Sequence, residues 1–268
     1  MIWILGACSA DSQDFFAVVE LRQFAAMAEM AAAAKPAFKL QYFGVMAKGL
    51  GIALVAEHSG LSWLGSADTA TNVDYKAKAP FGQLPLLLLE GAPPIAQTTA
   101  ILNVLGRLCG LAGDDDRAFA LSQMLIGEAE DLYAGLQRFN PTVYQALGSG
   151  FPKADTRAQY DAFWARDVPK QMVFLQNFCL SDNLGIAFLN AEERKAVGWT
   201  GPAPTPTVGE LYLWSILHQM VLVQPTCLDA THDLKNFYSI VLKSASTARV
   251  LSGESPMGPF KPYFVVPE

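Results

Sequence analysis

The chain has 268 residues, of which 51% are hydrophobic and 16% charged, with a formal net charge of −6. That much apolar material supports one large domain or two modest ones, and it excludes a disordered chain. The acidic balance argues against a nucleic-acid binder, which needs a basic footprint, but leaves room for a local basic pocket.

Residues 1–36 read as a separate extension. The opening "MIWILGACSADSQ" looks like a short signal core or a lipoprotein box, yet it lacks a basic leading segment. A transit peptide should be Arg-rich and acid-poor, whereas Asp11, Asp14 and Glu20 stand here. Phe15 to Ala34 has helix-forming composition and is closed by Pro36. Its apolar residues run around most of the circumference, so it should pack against something: the rest of this chain, or a docking partner.

Texture changes at Phe38. "FKLQYFG" alternates and is aromatic-rich, as a strand does, and residues 47–60 follow as a helix ending at Gly60. Residues 61–80 are polar and read as a loop with a short strand at its start. "QLPLLLLEG" is an apolar strand closed by a turn at Gly91 to Pro94, and "IAQTTAILNVLGRLCG" is a short strand running into a helix. Asp114, Asp115 and Asp116 suit a helix start, where acids complement the dipole. From Arg117 the signal is helical: 119–139 stopping near Pro141, then 155–179, 207–223 and 229–251. The third is opened by Thr207 with Glu210 three residues on, a capping box. The Pro-rich tail "PMGPFKPYFVVPE" is expected to lie over the surface.

The order implies α/β plus all-α: a small α/β domain over 37–110 and a helical domain over 111–250, with a tail over 251–268. No apolar run reaches the roughly 18–20 residues that span a bilayer. Cys8, Cys109, Cys179 and Cys227 are widely spaced, with no CxxC and no Cys/His set at zinc spacing, so reduced thiols and no metal are expected. Gly49-Leu50-Gly51 is only G-x-G and lacks the rest of a dinucleotide fingerprint. His58, His218 and His232 are scattered, and His218 within its apolar helix reads as a satisfied core or surface histidine, or as one facing the substrate side. Taken alone, Thr98 reads as a helix cap, Pro85 as an edge residue and Tyr42 as a core aromatic.

Together these residues carry a resemblance. "PFGQLPLLLLEG" followed by "IAQTTAI", with "KLQYF" upstream and "LAG" downstream, is similar to the pattern of the glutathione S-transferases, closest to their sigma-like, tyrosine-type cytosolic class. The resemblance covers residues 38–250. It implies a thioredoxin-like N-terminal domain followed by an all-helical C-terminal domain, with the N-terminal extension lying outside the family pattern. It implies that Pro85 is cis and that Leu84 offers its backbone to the cysteinyl part of glutathione, a strand-like addition of a small peptide. Gln83 would touch the glycine end or the adjacent backbone, and Lys76 would hold the glycine carboxylate. Gln97 and Thr98 would hold the γ-glutamyl carboxylate at a helix N-terminus, where unpaired N–H groups and the dipole favour an anion. Tyr42 would donate its phenol proton to the thiolate, a minority species near a free thiol pKa of about 8.5. Asp131, with Glu130 beside it, would reach the γ-glutamyl amine bound by a neighbouring subunit.

The loop after Tyr42 departs from the family. Met46, Leu50 and Ala53 replace charged residues, and Lys48 replaces an arginine that helps activate the thiol, keeping the charge without the planar fork. Asn72 stands where a tryptophan usually contacts the glycine end. The expected activity is conjugation of glutathione to an apolar electrophile, or a glutathione-dependent isomerisation. The rival is a non-catalytic subunit of a larger assembly, suggested by the thinned loop, the extension and the tail. The resemblance implies a homodimer in the cytoplasm or an organelle. Residues 15–34 are the expected contact for any further protein partner, and no nucleic acid is expected. Met124, Tyr133, Phe163 and Trp164 read either as electrophile-site lining or as ordinary helix-bundle core.

Overall fold

A computed structural model describes residues 37–140, 142–143, 157–182, 184–201 and 204–265; the helix expected over 15–34 and Cys8 lie outside the described residues. The first half is a four-stranded sheet with three helices: β1 (Phe38–Gln41), α1 (Gly49–His58), β2 (Trp63–Ser66), α2 (Thr69–Lys78), β3 (Leu86–Leu88), β4 (Ile95–Ala96) and α3 (Thr98–Cys109). Strand order is β2-β1-β3-β4. β1 runs parallel to β2, with Phe38 opposite Trp63, and antiparallel to β3, with Leu40 opposite Leu87. β4 pairs antiparallel with β3. Leu40, Leu86 and Leu87 are fully buried, which is why these strands read as apolar runs. This is the thioredoxin-like arrangement that the sequence implied.

The second half is helical: α4 (Asp116–Phe139), α5 (Arg157–Ala162), α6 (Val168–Asp182), α7 (Ala191–Ala196), α8 (Val208–Val223), α9 (His232–Leu242) and α10 (Ala245–Ser252). Asp115 caps α4 through its side chain, which accepts from the Ala118 N–H at 2.7 Å. α8 is apolar around nearly its whole circumference because it runs through the middle of the molecule, packed on α4 and α1. The Thr207–Glu210 capping box that opens it is present in both directions. Between α5 and α6 one turn widens over Phe163–Asp167, with the Val168 N–H reaching the Phe163 carbonyl. Pro169 follows at once; it lacks an N–H and crowds the carbonyl four residues back, which opens the turn.

Glycines set two close approaches. A Cβ on Gly51 would lie 2.4 Å from the Tyr212 ring, so G-x-G here lets α1 touch α8. A Cβ on Gly209 would lie 2.2 Å from the Ser122 carbonyl oxygen, where α8 meets α4.

Three features differ from the sequence reading. Residues 69–78 form α2 rather than a loop; the stretch is polar, so it shows no apolar periodicity to betray a helix. The helix expected over 229–251 is two, because the Ser244 hydroxyl accepts from the Thr247 N–H and starts a new helix. The tail is not a surface strap. Met257, Tyr263 and Phe264 are buried, and the Lys261 backbone pairs with the loop after β1: Met46 N–H donates to its carbonyl at 2.9 Å and its N–H donates to Gly44 at 3.0 Å. Prolines end helices, but the apolar residues between them still seek burial.

Candidate active site

The end of β1, the turn into β3, the N-terminus of α3, the inner face of α4 and the tail enclose a cavity of about 410 Å³. Tyr42, Lys48, Lys76, Gln83, Leu84, Pro85, Gln97 and Thr98 all line it. These residues span 57 positions of sequence, from 42 to 98, and converge only because the sheet folds them together.

Tyr42 sits at the carboxyl end of β1, buried, with its ring against Gly49 so closely that a Cβ there would stand 2.2 Å from Cδ1. Its carbonyl accepts from the Asn72 side chain at 2.8 Å, and Asn72 in turn accepts from Gln41 Nε2 at 2.7 Å. Asn72 is 1% exposed. It faces the sheet and fixes the end of β1, rather than lining the glycine end of the cavity. The phenol oxygen of Tyr42, at the cavity wall, accepts from the Lys48 N–H at 3.4 Å.

The Leu84–Pro85 peptide is cis, and it brings the Leu84 backbone to the cavity wall at the head of β3. Gln97 holds φ 73° and ψ 122°, outside the usual regions for a residue with a side chain. Such a conformation costs on the order of 1–3 kcal/mol and is kept where the surroundings demand it. Here it aims the start of α3 at the cavity, with Thr98 buried at the first helical position. The first-turn N–H groups of α3 have no partner within the helix, so the site favours an anion. Gln97 Nε2 donates to Gln83 Oε1 at 3.3 Å, joining the two turns.

Lys48 forms an ion pair with Glu130 of α4, and its ammonium lies 4.7 Å from the centre of the Tyr133 ring. The Tyr212 phenol on α8 donates to the other Glu130 oxygen. Burial, and then the Glu130 carboxylate, push the Tyr212 phenol far up, so it remains a donor at any working pH. Glu130 therefore faces inward and does not share the exposed position of Asp131, which lies on α4 outside the cavity.

Of the residues offered as electrophile lining, Tyr133 lies in the cavity wall and the other three do not. Met124 is 57% exposed on another face of α4, Phe163 stacks on Phe139 in the core, and the Trp164 indole donates to Asn140 at 3.0 Å. His218 is stacked on Trp214 with its Nδ1 3.0 Å from the Tyr238 hydroxyl, a core histidine. The sequence reading missed Phe43, Val45, Gln137 and Tyr263, which complete the cavity wall. Gln137 stands one helical turn beyond Tyr133 and was recoverable from it; Tyr263 carries no local signal. Among the described residues no group of three or more His, Cys, Asp or Glu could hold a metal. None of their helices is long and apolar enough to cross a membrane. Cys179 and Cys227 are free thiols that burial pushes up to about 12.

No family model matches the sequence. The chain is 34% identical over 105 residues to glutathione S-transferase 1 of Ascaris suum, covering 38% of this chain and 50% of that protein. It is 30% identical over 122 residues to human glutathione S-transferase P, covering 44% and 58%. The chain thus matches about half the length of these curated relatives. Among solved structures, the glutathione S-transferase of Ascaris lumbricoides superposes with a TM-score of 0.63 over 85% of this chain and 100% of that one, at 24% identity. The Pi-class glutathione S-transferase of Onchocerca volvulus gives 0.63 over 83% and 97%, at 18% identity. The fold is that of the glutathione S-transferases.

Proposed function

We propose that this chain is a glutathione transferase of the tyrosine type, which joins the thiol of glutathione to an apolar electrophile. The observation that carries the reading is convergence: the eight residues from Tyr42 to Thr98 named for glutathione line one cavity. In the proposed complex the γ-glutamyl carboxylate sits at the start of α3, held by Thr98 and Gln97. The cysteinyl backbone pairs with Leu84, and the glycine carboxylate meets Lys76 beside Gln83. The thiol then falls near Tyr42, whose phenol donates to sulfur and favours the thiolate. Phe43, Val45, Tyr133 and Tyr263 form the apolar side, where the electrophile binds. The thiolate attacks the electrophilic carbon, the carbon–sulfur bond forms, and a leaving group departs with the electron pair.

The protein would work as a homodimer, with Asp131 on the exposed side of α4 reaching the partner's γ-glutamyl amine. A reducing compartment suits both the co-substrate and the free thiols. The sigma-like class and the choice between conjugation and isomerisation belong to this proposal, which the similarity to transferase P proteins supports only at the level of the wider family.

The test is glutathione affinity by calorimetry, with conjugation of an aromatic halide by wild type and Tyr42→Phe. Binding in the millimolar range or tighter, with turnover that collapses in the variant, is expected. Absence of both binding and turnover would overturn the reading.

A further inference from the structure

The loop after Tyr42 has a single cation on the cavity, Lys48, and the structure shows what that cation does. Its ammonium is held by the Glu130 carboxylate and lies over the Tyr133 ring. Glu130 is itself held, since Tyr212, fully buried on α8, donates its phenol proton to the second carboxylate oxygen. Three elements therefore fix one ion pair at the cavity wall: the loop before α1, α4 and α8. The pair is partly buried, with side-chain exposures of 25% and 30%, so its geometry is held more firmly than that of a surface pair.

We propose that Glu130 is a positioning residue, which draws the Lys48 ammonium onto the Tyr133 ring and so withholds part of its charge from the sulfur of bound glutathione. The inference rests on the transferase reading above. It explains how a lysine can stand in the loop without the full pull of an unpaired cation on the thiol. A cation already neutralised by a carboxylate at contact distance lowers a neighbouring thiol pKa far less than a free one. The charged and titratable groups that face Glu130 are Lys48, Tyr133 and Tyr212, and Tyr42 lies next to them through the Lys48 backbone.

The step affected is ionisation of the bound thiol. The S–H proton leaves to solvent, and the negative charge that stays on sulfur is shared between the Tyr42 hydroxyl and whatever field Lys48 supplies. Glu130→Gln keeps the shape of the side chain but removes the opposing charge. The bound thiol should then titrate about one pH unit lower. Lys48→Met should move it up by a similar amount, and the double variant should return close to wild type, because the pair leaves together with no change in net charge. Tyr212→Phe keeps the packing and removes the donor, so Glu130 pairs with Lys48 more fully and the titration moves slightly up, opposite in sign to Glu130→Gln.

The experiment is the thiolate absorbance of bound glutathione titrated against pH in these four proteins and wild type, with glutathione affinity measured by calorimetry in each. A downward shift in Glu130→Gln relative to wild type, absent from the double variant and reversed in sign in Tyr212→Phe, supports the proposal. Binding of glutathione with no shift, or with an upward shift, in Glu130→Gln overturns it while leaving the transferase reading intact. Failure of the wild type to bind glutathione overturns both.

Discussion

The phenol oxygen of Tyr42 accepts from the Lys48 N–H, and the proposed reaction gives this phenol a second partner, the thiol of glutathione. A hydrogen bond to a charged acceptor is worth about 1.5–3 kcal/mol, so Tyr42→Phe should lower kcat/KM by roughly 10- to 100-fold. Glutathione affinity, which the proposal assigns to the Leu84 backbone and the start of α3, should change little, and calorimetry beside kinetics separates the two. Gly49 offers a second residue-scale test. A Cβ there would stand 2.2 and 2.8 Å from two carbons of the Tyr42 ring, and the ring is already buried. Gly49→Ala must push the ring aside, so kcat should fall at least tenfold with glutathione binding retained, since displacements of about an ångström cost that much. At this scale much of the site was legible in the chain. Gln83, Leu84, Pro85, Gln97 and Thr98 stand in two short motifs whose spacing is local. The work of Asn72 was not legible, because nothing local says that its amide turns back to the Tyr42 carbonyl.

Helices and strands obey a different logic, since each is judged by the face it buries. The contact between α4 and α8 depends on Gly209, where the helix backbones approach until Gly209 N–H donates to Ser122 Oγ at 3.0 Å. The neighbour of any new Cβ is main chain, which cannot swing away. Gly209→Ala should therefore destabilise by about 1–3 kcal/mol through overpacking, measured as a lowered urea midpoint with unchanged slope. The elements that the sequence revealed are those with a strong apolar pattern or a cap: α8 with its Thr207 box, α4 behind its Asp cluster, and the Leu-rich β3. α2 escaped because TATNVDYKAK has little apolar face to read. The break at Ser244 escaped because Ser sits comfortably in either a helix or a cap, and the choice is made by the side-chain hydrogen bond.

For the molecule as a whole, the tail and two histidines, His58 half-buried and His218 buried, tie distant parts together. The tail joins the loop after β1 to the helical half, so truncation after Gly253 removes Tyr263 from the cavity and strips Met257 and Phe264 from the core; the melting temperature and the affinity for the electrophile should both fall. The histidines make stability depend on pH. His58 contacts the Thr247 hydroxyl at 3.3 Å, joining α1 to α10, and His218 stacks on Trp214 and Tyr238, joining α8 to α9. Burial lowers both to about 4 from an ordinary value of 6.5. The folded state thus prefers them neutral, and between pH 6.5 and 4 the unfolded chain binds more protons. Stability from this source is fully present above pH 6.5 and is lost as pH falls toward 4. Going from pH 7 to pH 5 should cost about 2 kcal/mol for each histidine. Glu210, buried and pushed up, acts in the opposite sense at pH above its ordinary 4.5, so the slope of the wild type alone mixes the two. The comparison that isolates the histidine is His218→Phe, which keeps the aromatic stack and leaves Glu210 in place. Unfolding free energies from urea titrations at the two pH values should converge in this variant by about 2 kcal/mol relative to wild type. An equal loss of stability on acidification in both proteins would mean that His218 takes up its proton without leaving the fold.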